Sequence, residues 1–168
     1  AVVRSGRKGK MKPELRKIIE IRALEYEIDP DLVEALCFVE SSFNPKATRY
    51  EPAFFKTYIL PMLQRNEISP VEATGRATSW GLMQLMGQVA REKGFKGQFE
   101  ELFEPAAGLH WALKHLRHFL DRYPNDIDQP YLAIAAYNAG SPRYKDGKFV
   151  NQQYVDKVNK YLNQLKEG

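Results

Sequence analysis

Four prolines in this chain stand where helices begin. A proline ring suits the first helical turn, because the amide it lacks would have no partner there. After Pro13, Leu15, Ile18, Ile19 and Ala23 recur at helical spacing, which predicts a helix to about residue 28. Asp29-Pro30 interrupts it, and Asp29 is placed to cap a second helix from Pro30 to about Ser42, ended by Asn44-Pro45. Ser69-Pro70-Val71-Glu72 has capping-box spacing. Pro105 opens a long helix to Tyr123, stopped by Pro124-Asn125. Further helices are expected from Ser79 to Lys93, with Gly94 as C-cap, over 128–139, and over 149–165. Lys145-Asp146-Gly147-Lys148 is a turn. No pair of segments alternates as paired strands would. The expected class is all-α or nearly so: a single domain over 12–168, an inserted segment near 46–78, and a flexible basic tail over 1–11.

Composition narrows the function classes. At 168 residues, with 43% hydrophobic and 27% charged side chains, the chain suits one globular core and neither a disordered nor a fibrous class. No run approaches the ~18 apolar residues of a membrane span, and no secretory apolar segment opens the chain. A removed signal, or residence in a larger particle, is therefore expected. The formal net charge of +4 owes much to Arg4, Arg7, Lys8, Lys10 and Lys12, and favours a polyanionic partner. A nucleic-acid binder needs a basic stripe along one helix, which these dispersed cations do not make, so no nucleic-acid partner is expected. The single cysteine, Cys37, lies in an apolar run and reads as core. A monomer is expected.

One acid is out of place. With Leu32 as origin and 100° per residue, Leu36, Phe43 and Val39 fall within about 40°, and Glu40 falls about 80° away, inside the apolar stripe. Glu34 and Asp31 lie on the opposite side. Burial disfavours a carboxylate, and the C-terminal end of a helix is the negative end of its dipole. Both effects push Glu40 towards the protonated form that a general acid needs. The alternative is a structural ion pair with Arg or Lys.

Three motifs follow in order: Glu40-Ser41-Ser42-Phe43-Asn44-Pro45, Ser79-Trp80-Gly81-Leu82-Met83-Gln84 and Ala136-Tyr137-Asn138-Ala139-Gly140. Together with Tyr154-Val155-Asp156-Lys157-Val158, they resemble the catalytic domain of the soluble lytic transglycosylases, a lysozyme-like fold, over roughly residues 30–160. The resemblance implies that Glu40 is the acid/base. It also implies that Ser41 helps hold the glutamate region and the sugar, that Met83 and Gln84 line the glycan groove, and that Tyr137, with Asn138 close by, sits beside the acid. The implied reaction is cleavage of peptidoglycan between N-acetylmuramic acid and N-acetylglucosamine, ending in a 1,6-anhydromuramyl product, with no cofactor. The expected place is the periplasm or cell wall; a short catalytic chain without a signal also suits a phage virion or lysis protein. Two departures stand out: the long 46–78 segment, and Gly87 where proline is common.

Each assignment has a plainer alternative. Met83 and Tyr137 could be core residues, Asn138 a helix-end residue, and Gln84 a packing residue. Glu51 is a candidate second acid, which would make the enzyme a lysozyme-type hydrolase, or else a loop acid paired with Arg49 or Lys56. A non-catalytic wall-binding module is the remaining alternative. Glu104 reads as a helix N-terminal charge. His110, His115 and His118 share a helix side with Lys114, Arg117 and Arg122, which reads as a solvated face and not a metal site. Trp111 lies off the apolar stripe, facing either a second packing layer or a sugar.

Overall fold

The computed structural model describes residues 11–124 and 130–168. The expected tail over 1–11 lies outside the described residues except for Met11, which packs against the core, and so does the start of the helix expected over 128–139. The body is built from α1 (Pro13–Glu25), α2 (Pro30–Ser41), α7 (Pro105–Arg122), α8 (Tyr131–Ala139) and α9 (Gln152–Glu167). Their starts follow the capping chemistry. Asp29 accepts from the Asp31 amide at 2.9 Å, and Glu104 accepts from the Ala106 and Ala107 amides at 3.2 and 2.7 Å. Ile19, Leu36, Leu113, Leu116, Ile134 and Val158 are solvent-free in the shared core, and each such side chain contributes about 1.5–3 kcal/mol. Cys37 is buried there as a free thiol.

The side of α2 opposite Glu40, where the helical wheel puts Glu34, does not face solvent. Helix α2 packs against both α1 and α9, so it has little free surface. Glu34 is fully buried between them. Arg16 of α1 donates to it at 3.0 Å and Tyr161 of α9 at 2.8 Å, while Arg16 also reaches Asp31 at 2.9 Å.

The expected helix from Ser79 to Lys93 is corrected. The segment forms β2 (Thr78–Trp80), a turn, β3 (Leu85–Met86) and α6 (Gly87–Glu92). Together with β1 (Thr48–Tyr50) it makes a small antiparallel sheet in the order β1-β2-β3. Thr48 pairs with Trp80, and Trp80 with Leu85. Gly81 at φ 77° and Gln84 at φ 50° adopt left-handed backbone that no helix tolerates, and the Gly81 amide bonds to the Ala47 carbonyl at 2.8 Å. Strands this short leave no periodic trace in a sequence. The turn at Asp146-Gly147 likewise joins a hairpin, β4 (Tyr144–Lys145) and β5 (Lys148–Phe149). Both turn residues have positive φ, the pattern of a type I′ turn. The last helix consequently starts at Gln152, after the strand that holds Phe149.

The inserted segment is an ordered annex. It comprises α3 (Pro52–Phe54), a π-helical turn (Phe55–Ile59), α4 (Leu60–Gln64) and α5 (Pro70–Arg76). Ile59, Ala73 and Ala77 form its small core, with Phe54, Phe55, Met62, Leu63 and Ile68 packed around them. Ser69 caps α5 by accepting from the Glu72 amide at 3.1 Å. Glu72 binds Arg91 of α6 at 2.7 Å and Arg76 at 2.9 Å. A Cβ on Gly87 would collide with the backbone carbonyl of Gly75 in α5. The two sequence departures are therefore one: glycine stands at 87 because the annex docks there, where a bulkier residue would collide with it.

Candidate active site

Glu40 lies in the last turn of α2, which ends at Ser42 in the left-handed conformation (φ 51°). The chain then doubles back towards β1. This brings Glu40 to the wall of a cleft of about 1410 Å³. The remaining lining comes from several elements distant in sequence. Arg49 and Glu51 come from the β1 region, Phe54 and Tyr58 from the annex, and Ser79 and Gln84 from the β2–β3 region. His115 comes from α7, Tyr137 and Asn138 from α8, and Tyr154 and Lys157 from α9.

Glu40 is half-buried. Loss of water pushes its carboxyl pKa up to about 8, against the downward pulls of the Tyr154 hydroxyl and the Arg49 charge. At neutral pH it is mostly a neutral acid, facing a cleft wide enough for a polymer. Tyr154, whose buried hydroxyl makes no hydrogen bond of good geometry, is held well above the usual phenol range by burial and by the nearby Glu40 charge. Tyr137 is 8% exposed, and burial keeps it a neutral phenol too.

The other sequence candidates divide. Gln84 lines the cleft, and its amide donates to the Ala47 and Gly81 carbonyls at 3.0 and 2.9 Å, which fixes the tight turn before β3. Ser41 lies against the same turn: its hydroxyl reaches the Leu82 carbonyl at 2.7 Å. Tyr137 lines the cleft and donates to the Met83 carbonyl at 2.8 Å. Asn138 is exposed in the cleft, where its oxygen accepts from Asn151 at 2.9 Å. The Met83 side chain, however, is only 2% exposed and packs in the core, so no sugar face can rest on it; it meets the site through its carbonyl. Glu51 lines the same cleft as Glu40, with Arg49 3.2 Å from its carboxylate.

The histidine side of α7 is not uniformly solvated, contrary to expectation. His118 is exposed, but His110 is bonded to the Tyr26 hydroxyl at 2.8 Å. His115 lines the cleft with its ring 5.6 Å from that of Tyr137. Burial, then the charges of Lys93 and His118, lower its pKa to about 4, so it is neutral under ordinary conditions. Its buried Nδ1 has no hydrogen-bond partner among the described residues. Trp111 tilts against Phe95 at 5.6 Å in a second packing layer. Sequence reasoning missed His115 because its neighbours on the helix are cations. It placed Tyr154 only within a motif and Arg49 only as a partner for Glu51. Among the described residues, no three His, Cys, Asp or Glu side chains are grouped to hold a metal ion.

A mostly helical domain thus presents a neutral, half-buried carboxyl, Glu40, on the wall of a cleft of about 1410 Å³. The chain belongs to the transglycosylase SLT domain family, whose model matches residues 17–160. It is 29% identical over 130 residues to proteins named membrane-bound lytic murein transglycosylase C from Histophilus somni (strain 2336) and from Actinobacillus pleuropneumoniae serotype 5b (strain L20). The match takes in 74% of this chain and 30% of the length of each of those relatives.

Proposed function

We propose that this domain is a peptidoglycan lytic transglycosylase acting on the β-1,4 bond between N-acetylmuramic acid and N-acetylglucosamine, with Glu40 as its single acid/base. The observation that carries the reading is the place of Glu40: one neutral carboxyl on the wall of a polymer-sized cleft in an SLT-family domain. Glu40 gives its proton to the bridging oxygen, and the bond from that oxygen to the muramyl anomeric carbon breaks. The substrate's own acetamido group supports the positive carbon. Glu40, now a carboxylate, takes the proton of the muramyl C6 hydroxyl as its oxygen bonds to that carbon. The acid is regenerated, a 1,6-anhydro sugar forms, and no water is consumed. Proximity favours this internal attack. Gln84, Asn138 and the neutral phenols Tyr137 and Tyr154 offer polar groups for hydroxyl and acetamido functions.

One observation favours the hydrolytic alternative: Glu51 shares the cleft with Glu40. Its carboxylate is engaged by Arg49 at 3.2 Å, the loop ion pair that supports the lyase reading over it. The proposed place of action is the cell envelope, in periplasm or wall. The relatives' printed names support this, and nothing in them favours a virion. Among the described residues, no helix is long and apolar enough to cross a membrane.

Digestion of purified sacculi with mass analysis of the fragments tests the proposal. Anhydromuramyl ends, absent with Glu40→Gln, are expected. Reducing ends that vanish with Glu51→Gln would establish the hydrolase instead.

A further inference from the structure

We propose that Tyr58, with Phe54 beside it, is a sugar-stacking platform that carries the cleft onto the 46–78 annex and holds a glycan ring away from the bond being broken. The proposal rests on the reading of the cleft as a glycan groove. Tyr58 is 62% exposed, although it belongs to a packed helical unit, and Phe54 is half-buried next to it. Their rings are 5.0 Å apart with 44° between planes, and both line the same cleft as Glu40, as do Ala53 and Thr57, each the residue just before one of them. An aromatic surface that continues a polymer cleft calls for an occupant, whereas a lone exposed ring would not.

The backbone aims this surface. Pro61 has no amide to give the Thr57 carbonyl four residues back. The chain instead widens by one residue into a π turn, in which the Leu60 amide bonds to the Phe55 carbonyl. Such a turn shifts the following side chains around the axis by about 100°. Ile59 drops fully into the annex core, and Tyr58, one residue earlier, is left facing out over the cleft. The platform is also rigid, because the annex is fastened to α6 by Glu72–Arg91 and by the close Gly75–Gly87 approach.

The occupant's chemistry follows. A pyranose ring presents C–H bonds on one face, weakly positive, and hydroxyls at its rim. The electron-rich face of a phenol complements the first, and the Tyr58 and Thr57 hydroxyls offer hydrogen bonds to the second. In this proposal the ring seated there is not the one whose bond Glu40 cleaves, so the platform acts on long strands and not on the shortest cleavable fragment.

The test compares wild type, Tyr58→Ala and Tyr58→Trp on purified long glycan strands and on the shortest fragment the wild type cleaves. Tyr58→Ala is expected to lose about fivefold in kcat/KM on long strands, mainly through KM, as one aromatic contact warrants. On the short fragment it should match wild type, with unchanged melting temperature, and Tyr58→Trp should restore the long-strand rate. Binding of long strands to Glu40→Gln, with and without Tyr58→Ala, reads the same contact without turnover. Equal rates on long strands, or equal losses on long and short, overturn the platform while leaving the function standing. A wild type that neither binds nor cleaves any strand overturns both.

Discussion

The Ser41 hydroxyl lies 2.7 Å from the Leu82 carbonyl and 3.0 Å from the Cys37 carbonyl. A hydroxyl has one proton, and the shorter contact takes it. Residue 41 therefore ties the turn of α2 that carries Glu40 to the turn that carries Gln84, joining two of the motifs. Ser41→Ala should cost about 1 kcal/mol of stability by denaturant titration. It should lower kcat on sacculi while Ser41→Thr retains more of it. An alanine variant with unaltered kcat would show that the bond is not needed for positioning.

Glu40→Gln separates catalysis from folding. Wall lysis should vanish, while stability changes in a pH-dependent way. The native carboxyl pKa, about 8, lies above the ordinary carboxyl value of 4.5. The folded state therefore binds more protons than the unfolded state between these limits, and stability falls as pH rises through them. Below pH 4.5 both states are protonated and nothing is lost. The variant, with no proton to lose, should match wild type in acid and exceed it by up to about 5 kcal/mol above pH 8. Melting curves from pH 4 to 9 check this; a gap that does not widen with pH would mean Glu40 is freely solvated. In wild type the protonation step should fail as pH rises through about 8.

The helices of the body and the place of Glu40 were legible because proline, capping residues and a 3.6-residue stripe act locally. What was not legible depends on distant partners. Glu34 lies opposite the apolar stripe of its own helix and is buried because α1 and α9 both cover that side. Thr78–Trp80 became a strand because Thr48–Tyr50 lies beside it. Met83 carries a motif position, yet its side chain serves the core and only its carbonyl serves the site. His115 joined the cleft because α8 brought Tyr137 against it.

Arg16 is the partner that makes a buried Glu34 tolerable, with Tyr161 as second donor. Removing it strands a charge between helices. Arg16→Ala should destabilise by about 3 kcal/mol in chemical denaturation at neutral pH. Adding Glu34→Gln should return much of that loss, since no charge is then buried. Both variants leave the cleft lining intact, so kcat measured well below the melting temperature should stay near wild type. A single variant as stable as wild type would show that the pair contributes nothing.

Gly87→Ala tests whether the annex is docked as a unit. The new methyl would meet the Gly75 carbonyl and the Phe99 ring. A backbone carbonyl inside a helix cannot step aside cheaply, so α5 must lift from α6. That movement strains the Trp80 indole bond to the Gly75 carbonyl, 3.0 Å, and the Glu72–Arg91 pair. The cost should be about 2 kcal/mol. It should also fall unevenly, because the annex core is small and separate from the main one. Amide hydrogens of α4 and α5 should exchange faster in the variant, while those of α2 and α7 keep their protection. Uniform loss of protection would show one cooperative unit, and no loss at all would show that the two helices have room to spare.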